Sequence, residues 1–357
     1  MTIVLDGTSG ITSPNETTGV LTATSINASG AITAASVTTT GATGSLNSIN
    51  TFGFKNRIIN GNMAIDQRNA GASVTGSTTN PFSVDRWQTV SSQNSKFTAQ
   101  QNAGSVTPPA GFINYLGITS SSTYSIVASD QFRIFQSIEG LNVADLAWGT
   151  ANASTVTLSF KVYSSLTGTF GGSLANNAYA RSYPFTYTIS TANTWTTISV
   201  TIAGDTSGTW LTNNGNGVIV GFGLGVGSTY SGTAGAWASA AYTSATGAVS
   251  VVGTSGATFY ITGVQLEKGS VATSFDQRAY SQELAMCQRY YEIQGQCAYS
   301  GGVFATFKFS VQKRATPTLG TTPSGGAYTS GPNVDVTGYY AAYNVTSGFI
   351  WTASAEL

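Results

Sequence analysis

The sequence predicts an all-β protein: a β-rich N-terminal stem, a jelly-roll β-sandwich, a short connecting helix and a small C-terminal β domain, assembled as a homotrimeric fibre. Three observations carry that expectation. Charged residues make up only 8% of the 357-residue chain, against roughly 25% in an ordinary globular protein, and from Tyr183 to Leu266 the single charged side chain is Asp205. A soluble helix builds its polar face from Lys, Glu and Arg, so a long segment of Thr, Ser, Gly, Val and aromatics reads as sheet. Apolar and polar residues also alternate in short runs, and clusters of Gly, Asn and Ser punctuate them at the cadence of a sandwich.

Residues 1–53 carry only two charges, Asp6 and Glu16, among mostly small, hydroxyl and aliphatic residues. Ser25, Ile26 and Gly30 are echoed eleven positions later by Ser36, Val37 and Gly41. Units this short cannot bury an apolar face within one chain, so a trimeric stem would set Leu21, Ile26, Ile32 and Val37 on its axis; a low-complexity arm is the other outcome. The texture changes at Phe54, where Asn60-Gly61 supplies turn chemistry, and a jelly roll is expected over 54–280. Its strands are read at Phe82–Val90, Phe132–Ser137, Thr155–Val162, Phe185–Ile189, Thr196–Ile202, Val218–Val226 and Thr258–Leu266. Thr155–Val162 alternates strictly, as a strand with one buried face should.

Between 281 and 296 comes a connecting helix, read over Ser281–Gln294, with Leu284, Cys287 and Tyr291 at positions i, i+3 and i+7. From 297 to 357 strand texture returns, with Phe304–Val311 alternating and Pro317, Pro323 and Pro332 marking turns or edges.

Composition excludes several functions. The 14 Lys plus Arg balance 14 Asp plus Glu, so no basic footprint for nucleic acid exists. No apolar run reaches the roughly 18 to 20 residues of a membrane span, and the start lacks a signal-peptide pattern; assembly inside a cell is expected. With no histidine, His-dependent triads and His-ligated metals are excluded. Cys287 and Cys297 stand alone, indicating neither a disulfide framework nor zinc. No cofactor and no metal are expected.

The opening run FKNRIINGNMAIDQRNAG (54–71) with VDRW (84–87), and the closing run from Phe259 to Glu292, resemble bacteriophage tail-fibre and related virion proteins. Between them FRIFQSIEGLNVADL, TVTLSFKVYS and YITGVQLEKGS resemble the jelly roll of carbohydrate-binding modules of the family 4/9 kind. The resemblance implies a virion tail fibre attached to the tail or baseplate through its N-terminus, which binds host surface polysaccharide or lipopolysaccharide without cleaving it. Where that module family places an acidic residue in its last strand this chain has Thr262-Gly263, so no metal site is implied.

Sugar binding asks for flat aromatic faces rimmed by amides and hydroxyls. Trp210, Tyr230, Trp237 and Tyr242, with Asn213 and Asn214, are the candidates, while Trp87, Trp148 and Trp195 read as core. A second surface is expected at a fibre tip carrying Tyr339, Tyr340, Tyr343 and Trp351. Glycoside cleavage would need two facing carboxyl groups, and Asp66, Asp85, Asp130, Glu139 and Asp145 are the possible members. Asp66 with Arg68, and Asp85 with Arg86, read instead as local ion pairs. The rival functions are a head fibre or capsid decoration protein without receptor binding, and a glycan depolymerase.

Overall fold

The computed structural model describes residues 55–322 and 328–357, and in the C-terminal sheet it describes side chains at 291–293, 308–320, 334–339 and 351–357. The stem expected over 1–53 lies outside the described residues. The described chain forms a two-layered antiparallel sandwich, one helix and a small C-terminal sheet.

One layer contains β1 (Val74–Thr75), β4 (Phe97–Gln101), β5 (Leu116–Ser120), β14 (Thr258–Lys268), β7 (Val156–Ser164) and β10 (Thr196–Ile202), in that order. The other contains β2 (Phe82–Val84), β3 (Trp87–Ser91), β6 (Gln131–Glu139), β11 (Asn216–Val226), β8 (Gly168–Ala175) and β9 (Ser182–Ile189). From β5 onward the chain changes layer at each connection between these strands except the β8–β9 hairpin, which is jelly-roll wiring.

The alternation expected in β7 is observed: Leu158, Phe160 and Val162 face the core, while Ser159, Lys161 and Tyr163 are half-buried on the outer face. Across the layers the core is an aromatic interlock. Phe160 meets Phe222 edge-on at 4.9 Å and Tyr187 at 5.0 Å, and Trp87 lies 6.2 Å from Phe222. Each fully buried aromatic of this kind removes roughly 150–250 Å² from water, which lets a chain poor in charge pairs hold two large sheets together.

One long connection completes the second layer. The connection between β11 and β14 carries β12 (Ser231–Gly232) and β13 (Ser244–Ala245) and lies flat on the outer face. It can do so because Gly171 and Gly223 have no side chains there: a Cβ would fall 2.5 Å and 2.7 Å from the Ser244 Oγ. The glycine-rich texture of β8 hides this strand from a sequence reading, and β4 and β5 are likewise too short and too polar to anticipate.

Three expectations are corrected. The strand read over Phe82–Val90 is a hairpin, β2 paired with β3, because Arg86 takes a left-handed backbone (φ 71) and reverses the chain. The helix, α1 (Tyr280–Gln288), stops before Tyr291, which instead opens β15 (Tyr291–Lys308) opposite Ser354. Strand pairing outweighs helical spacing here. Asp66 does not pair with Arg68, nor Asp85 with Arg86. Asp66 accepts the backbone N–H groups of Asn69 and Gly71, Asp85 accepts from Gln67, and both arginines grip Glu356.

That grip joins the opening and closing segments. Arg86 donates to Glu356 and to the Ser137 carbonyl, with its guanidinium 3.5 Å over the Tyr290 ring. Arg68 reaches Glu356 at 2.8 Å and lies 3.5 Å over Tyr291. Arg314 then donates to the carbonyls of Ala355, Glu356 and Asn214. Beyond the seam, β15 pairs with β18 (Gly338–Ser354), which also receives β16 (Thr318–Thr322) and β17 (Tyr328–Val334). Cys287 is buried, and burial pushes its thiol well above the usual range; the side chain of Cys297 lies outside the described residues.

Glu356→Ala leaves two enclosed guanidinium groups without their carboxylate and is expected to cost about 3 kcal/mol, read from urea unfolding. Burial raises the Asp85 carboxyl from 3.8 to about 6, against hydrogen bonds from Gln67 and the charge of Arg68. The folded protein therefore favours the neutral acid, so this stabilisation is complete below pH 3.8 and is lost as pH rises through about 6. Asp85→Asn should gain on the parent by up to about 3 kcal/mol between pH 4 and pH 7, measured as the difference between their urea midpoints across that range.

Candidate functional site

The β8–β9 turn, the β10–β11 connection and the loop after β11 converge at one end of the sandwich. Between them lies a cleft of about 450 Å³ whose polar lining is Asn176, Asn177, Arg181, Ser207, Thr209 and Ser239. Its frame is rigid for a local reason. The Arg181 guanidinium grips Asp205 through two hydrogen bonds of 2.7 Å each and donates its third nitrogen to the Ser239 Oγ at 2.8 Å. A bidentate pair of this kind fixes direction as well as distance, and the hydrogen bonds to Asp205 raise the Arg181 pKa above its ordinary value. Asp205 also accepts the Ser207 N–H, and Asn176 closes its own turn by accepting from Arg181 N–H and donating to the Thr209 carbonyl. The lone charge of the long uncharged stretch thus fastens three loops. Gly208 makes room for it: a Cβ there would sit 2.5 Å from the Arg181 Cγ, and its φ of +79 favours glycine.

Behind this frame three indoles pack edge-on. Trp148 lies 4.7 Å from Trp210 and 5.3 Å from Trp237, which are themselves 5.3 Å apart, and Tyr183 adds a further edge contact to Trp237. Each indole N–H is used internally, donating to the carbonyls of Ser154, Ser207 and Ala203 from Trp148, Trp210 and Trp237 respectively. Trp148 is buried, while Trp210 and Trp237 are half-buried, and Trp210 stands between the cleft residues Thr209 and Leu211. Two of the sequence candidates are therefore brought together beside a polar cleft, on a third tryptophan that the sequence assigns to the core.

The other candidates separate from them. Tyr242 lies over Gly232, where a Cβ would meet its ring at 2.2 Å, and Tyr230 sits half-buried in the same loop on the second layer. Asn213 caps the turn at Gly215, and Asn214 donates to the Arg314 carbonyl at 2.8 Å, so it belongs to the seam with the C-terminal segment. Tyr339 and Trp351, expected at an exposed tip, are buried and pack on one another at 5.0 Å. The side chains of Tyr340 and Tyr343 lie outside the described residues.

Trp195 is the converse case, since it is half-buried on the outer face of the first layer rather than in the core. There Tyr163 and Tyr260 stack nearly parallel at 5.3 Å, Tyr115 stacks on Tyr260 at 5.0 Å, and Trp195 meets Tyr115 edge-on at 5.5 Å. The 102–110 loop covers part of this layer, held by Trp195 donating to the Thr107 carbonyl and Tyr115 donating to the Ala103 carbonyl. The alternation of β7 and β14 already places Tyr163 and Tyr260 opposite Phe160 and Phe259, so the signal is present in the period-two pattern.

The carboxylates have structural partners. Glu139 accepts from Arg289 at 2.6 and 2.9 Å and from the Tyr290 hydroxyl at 2.7 Å; burial pushes its pKa up, but these donors overcome burial and hold it below its usual value. Asp145 pairs with Arg57, and Asp130 accepts the Val127 N–H. Among the described residues no cluster of Cys, Asp or Glu side chains is arranged to hold a metal ion, and no helix is long and apolar enough to cross a membrane.

No protein-family model and no curated protein sequence matches the chain. Solved structures with likeness to it include the enzymatically active domain of tailspike protein 4 of bacteriophage CBA120, at 11% identity and a TM-score of 0.33, covering 60% of this chain and 21% of that one. A family 4 carbohydrate-binding module aligns at 14% identity and a TM-score of 0.28, over 58% of this chain and all of its own. The family 11 carbohydrate-binding module of Clostridium thermocellum, in complex with a mixed-linked β-1,3-1,4 tetrasaccharide, aligns at 11% identity and a TM-score of 0.30 over 57% of this chain and 99% of its own. The chain thus spans about a fifth of the tailspike's length and essentially the full length of the two modules.

Trp148→Ala removes the keystone of the indole cluster and is expected to cost about 3–5 kcal/mol, whereas Asn177→Ala on the cleft rim should change stability by less than about 0.5 kcal/mol. Urea denaturation of the two variants beside the parent checks both.

Proposed function

We propose that the protein is a non-catalytic glycan-binding fibre subunit of a bacteriophage, with the cleft between the β8–β9 turn and the β10–β11 connection as its sugar site. The observation that carries this reading is the composition of the cleft: amide and hydroxyl groups of Asn177, Ser207, Thr209 and Ser239 line it beside the Arg181 guanidinium. Pyranose hydroxyls need such paired donors and acceptors. The frame behind them is held by tryptophans and by the Arg181–Asp205 pair, so little ordering remains to be done on binding. The non-catalytic part is supported by the engagement of Asp66, Asp85, Asp130, Glu139 and Asp145 in caps and ion pairs.

A single open cleft of this size binds weakly. Three copies on one rigid fibre, and several fibres on one particle, raise avidity about 10² to 10⁴ fold with no new contact. The trimer and the attachment of residues 1–53 to a virion rest on the sequence resemblance and the nearly uncharged repetitive stem, and belong to this proposal.

The test is retention of host lipopolysaccharide or capsular polysaccharide by the immobilised full-length chain, with the double variant Asn177→Ala/Ser239→Ala alongside. Retention falling at least tenfold in the double variant, with unchanged thermal melting and no new reducing ends released, is the expected result. Equal retention by the double variant, no retention by the parent, or the appearance of reducing ends would overturn the reading. Light scattering on the same material should give three times the mass of the 36.7 kDa chain.

A further inference from the structure

Arg133 occupies an unusual place in a chain so sparing of charge. It lies in the middle of β6 on the outer face of the second layer and is only 6% exposed. Its neighbours across the strands are Val90 on β3 and Gly223 on β11, neither of which offers a side-chain acceptor. Its guanidinium carbon lies 4.7 Å from the centroid of Phe135 and 5.3 Å from that of Tyr179, and one nitrogen, Nη2, donates to the Tyr179 hydroxyl at 2.7 Å. The Nε and Nη1 atoms have no acceptor among the described residues, and they carry three N–H donors between them. The seven other arginines each meet a carboxylate or a backbone carbonyl; among the described residues Arg133 meets neither.

Its surroundings are shaped rather than charged. Gly221 leaves the floor bare beside Nη1, where a Cβ would come within 3.6 Å of that nitrogen. Phe135 is half-buried, with Gln88 opposite it across the ladder. Tyr179 is half-buried too and comes from the tip of the 176–181 turn, the same turn that lines the cleft. Its backbone is left-handed (φ 51), which a bulky residue rarely adopts, so the turn is built to hold this ring over the arginine. A buried guanidinium with open donors is costly unless an anion meets it. A single planar fork between two rings suits a carboxylate; a phosphate group is usually met by several cations.

We infer that Arg133 recognises the carboxylate of an acidic sugar, so that the bound glycan is a uronate-containing polysaccharide with its acidic residue on the β3–β6–β11 face and Tyr179 as a ring that moves aside to admit it. This rests on the glycan-binding function proposed above. Phe135 and the displaced Tyr179 offer the ring faces on which a sugar stacks, and the fork of Arg133 supplies the charge-assisted hydrogen bonds that a neutral sugar cannot use.

The probe is a set of oligogalacturonides offered as the free acid and as the methyl ester, which keeps ring and linkage but removes the charge, with dextran sulfate as a third arm. Calorimetry on the full-length protein should show the acid bound at least tenfold more tightly than the ester. Arg133→Gln should abolish that preference, bringing acid and ester to equal affinity, and Arg133→Lys, which keeps the charge but not the fork, should bind the acid at least threefold more weakly than the parent. Equal affinity for acid and ester in the parent, or an acid preference retained by Arg133→Gln, overturns the inference while leaving glycan binding intact. Tighter binding of dextran sulfate than of the acid overturns the assignment to a carboxylate. Failure of every saccharide, acidic or neutral, to bind overturns the glycan-binding function itself. The comparison of acid with ester in the parent decides the matter even if Arg133→Gln does not fold.

Discussion

Glu356 is the carboxylate on which the rest of the described architecture leans. Two arginines from the opening segment, Arg68 and Arg86, close on it; Arg68 lies over Tyr291, which opens the C-terminal sheet, and Arg86 over Tyr290 just before it. Removing any one member would strand a charge in a place water scarcely reaches, which is why such clusters act as a unit. The effect is to tie the start of the sandwich, its β6 strand through the Ser137 carbonyl, and the final residues into one body. The segments at 54–71 and 259–292 that stand out as motifs in the sequence are thus two sides of one seam. Arg57 N–H donates to the Leu266 carbonyl, Asn56 donates to the Val264 carbonyl, and Arg278 donates to the Ile58 carbonyl.

The scarcity of charge acquires a meaning from this. Ion pairs are concentrated where elements distant in sequence must be registered: Arg57 with Asp145, Arg289 with Glu139, Lys313 with Glu292, and Arg181 with Asp205. Elsewhere the surface is rich in Thr, Ser and Asn, which satisfy the backbone locally and leave few long charged side chains on the sheet faces, Lys161 and Arg133 among them. Exposed ion pairs contribute little to stability; enclosed ones contribute geometry, and this chain places its few where geometry is needed. A consequence is that Arg133, enclosed yet facing no carboxylate, departs from the pattern of the whole molecule.

The candidate site is legible in part. Trp210 and Trp237 stand out by their setting among Gly, Asn and Ser, and the structure does bring them together. Their partner Trp148 cannot be found that way, because it follows a short helical turn more than sixty residues upstream and meets them only after the layers close. Asn214, identical in local texture, goes to the seam instead. Arg133 escapes notice because a charged residue inside an apolar strand reads as an outward-facing solvated group; only the registers to Val90 and Gly223 and its burial show that, among the described residues, it is enclosed with no carboxylate beside it.

Sequence by itself determined the fold class, the approximate strands from Phe132 to Leu266 other than β8, and the exclusion of histidine chemistry, because these depend on composition and on a period of two that is local to each strand. It also marked the opening and closing runs as special. Tertiary structure alone decided which arginine faces which carboxylate, that Tyr291 belongs to a strand rather than a helix, and which aromatics are enclosed. Those outcomes depend on contacts between residues hundreds of positions apart, and a side chain's exposure is set by what packs against it, which no local pattern contains.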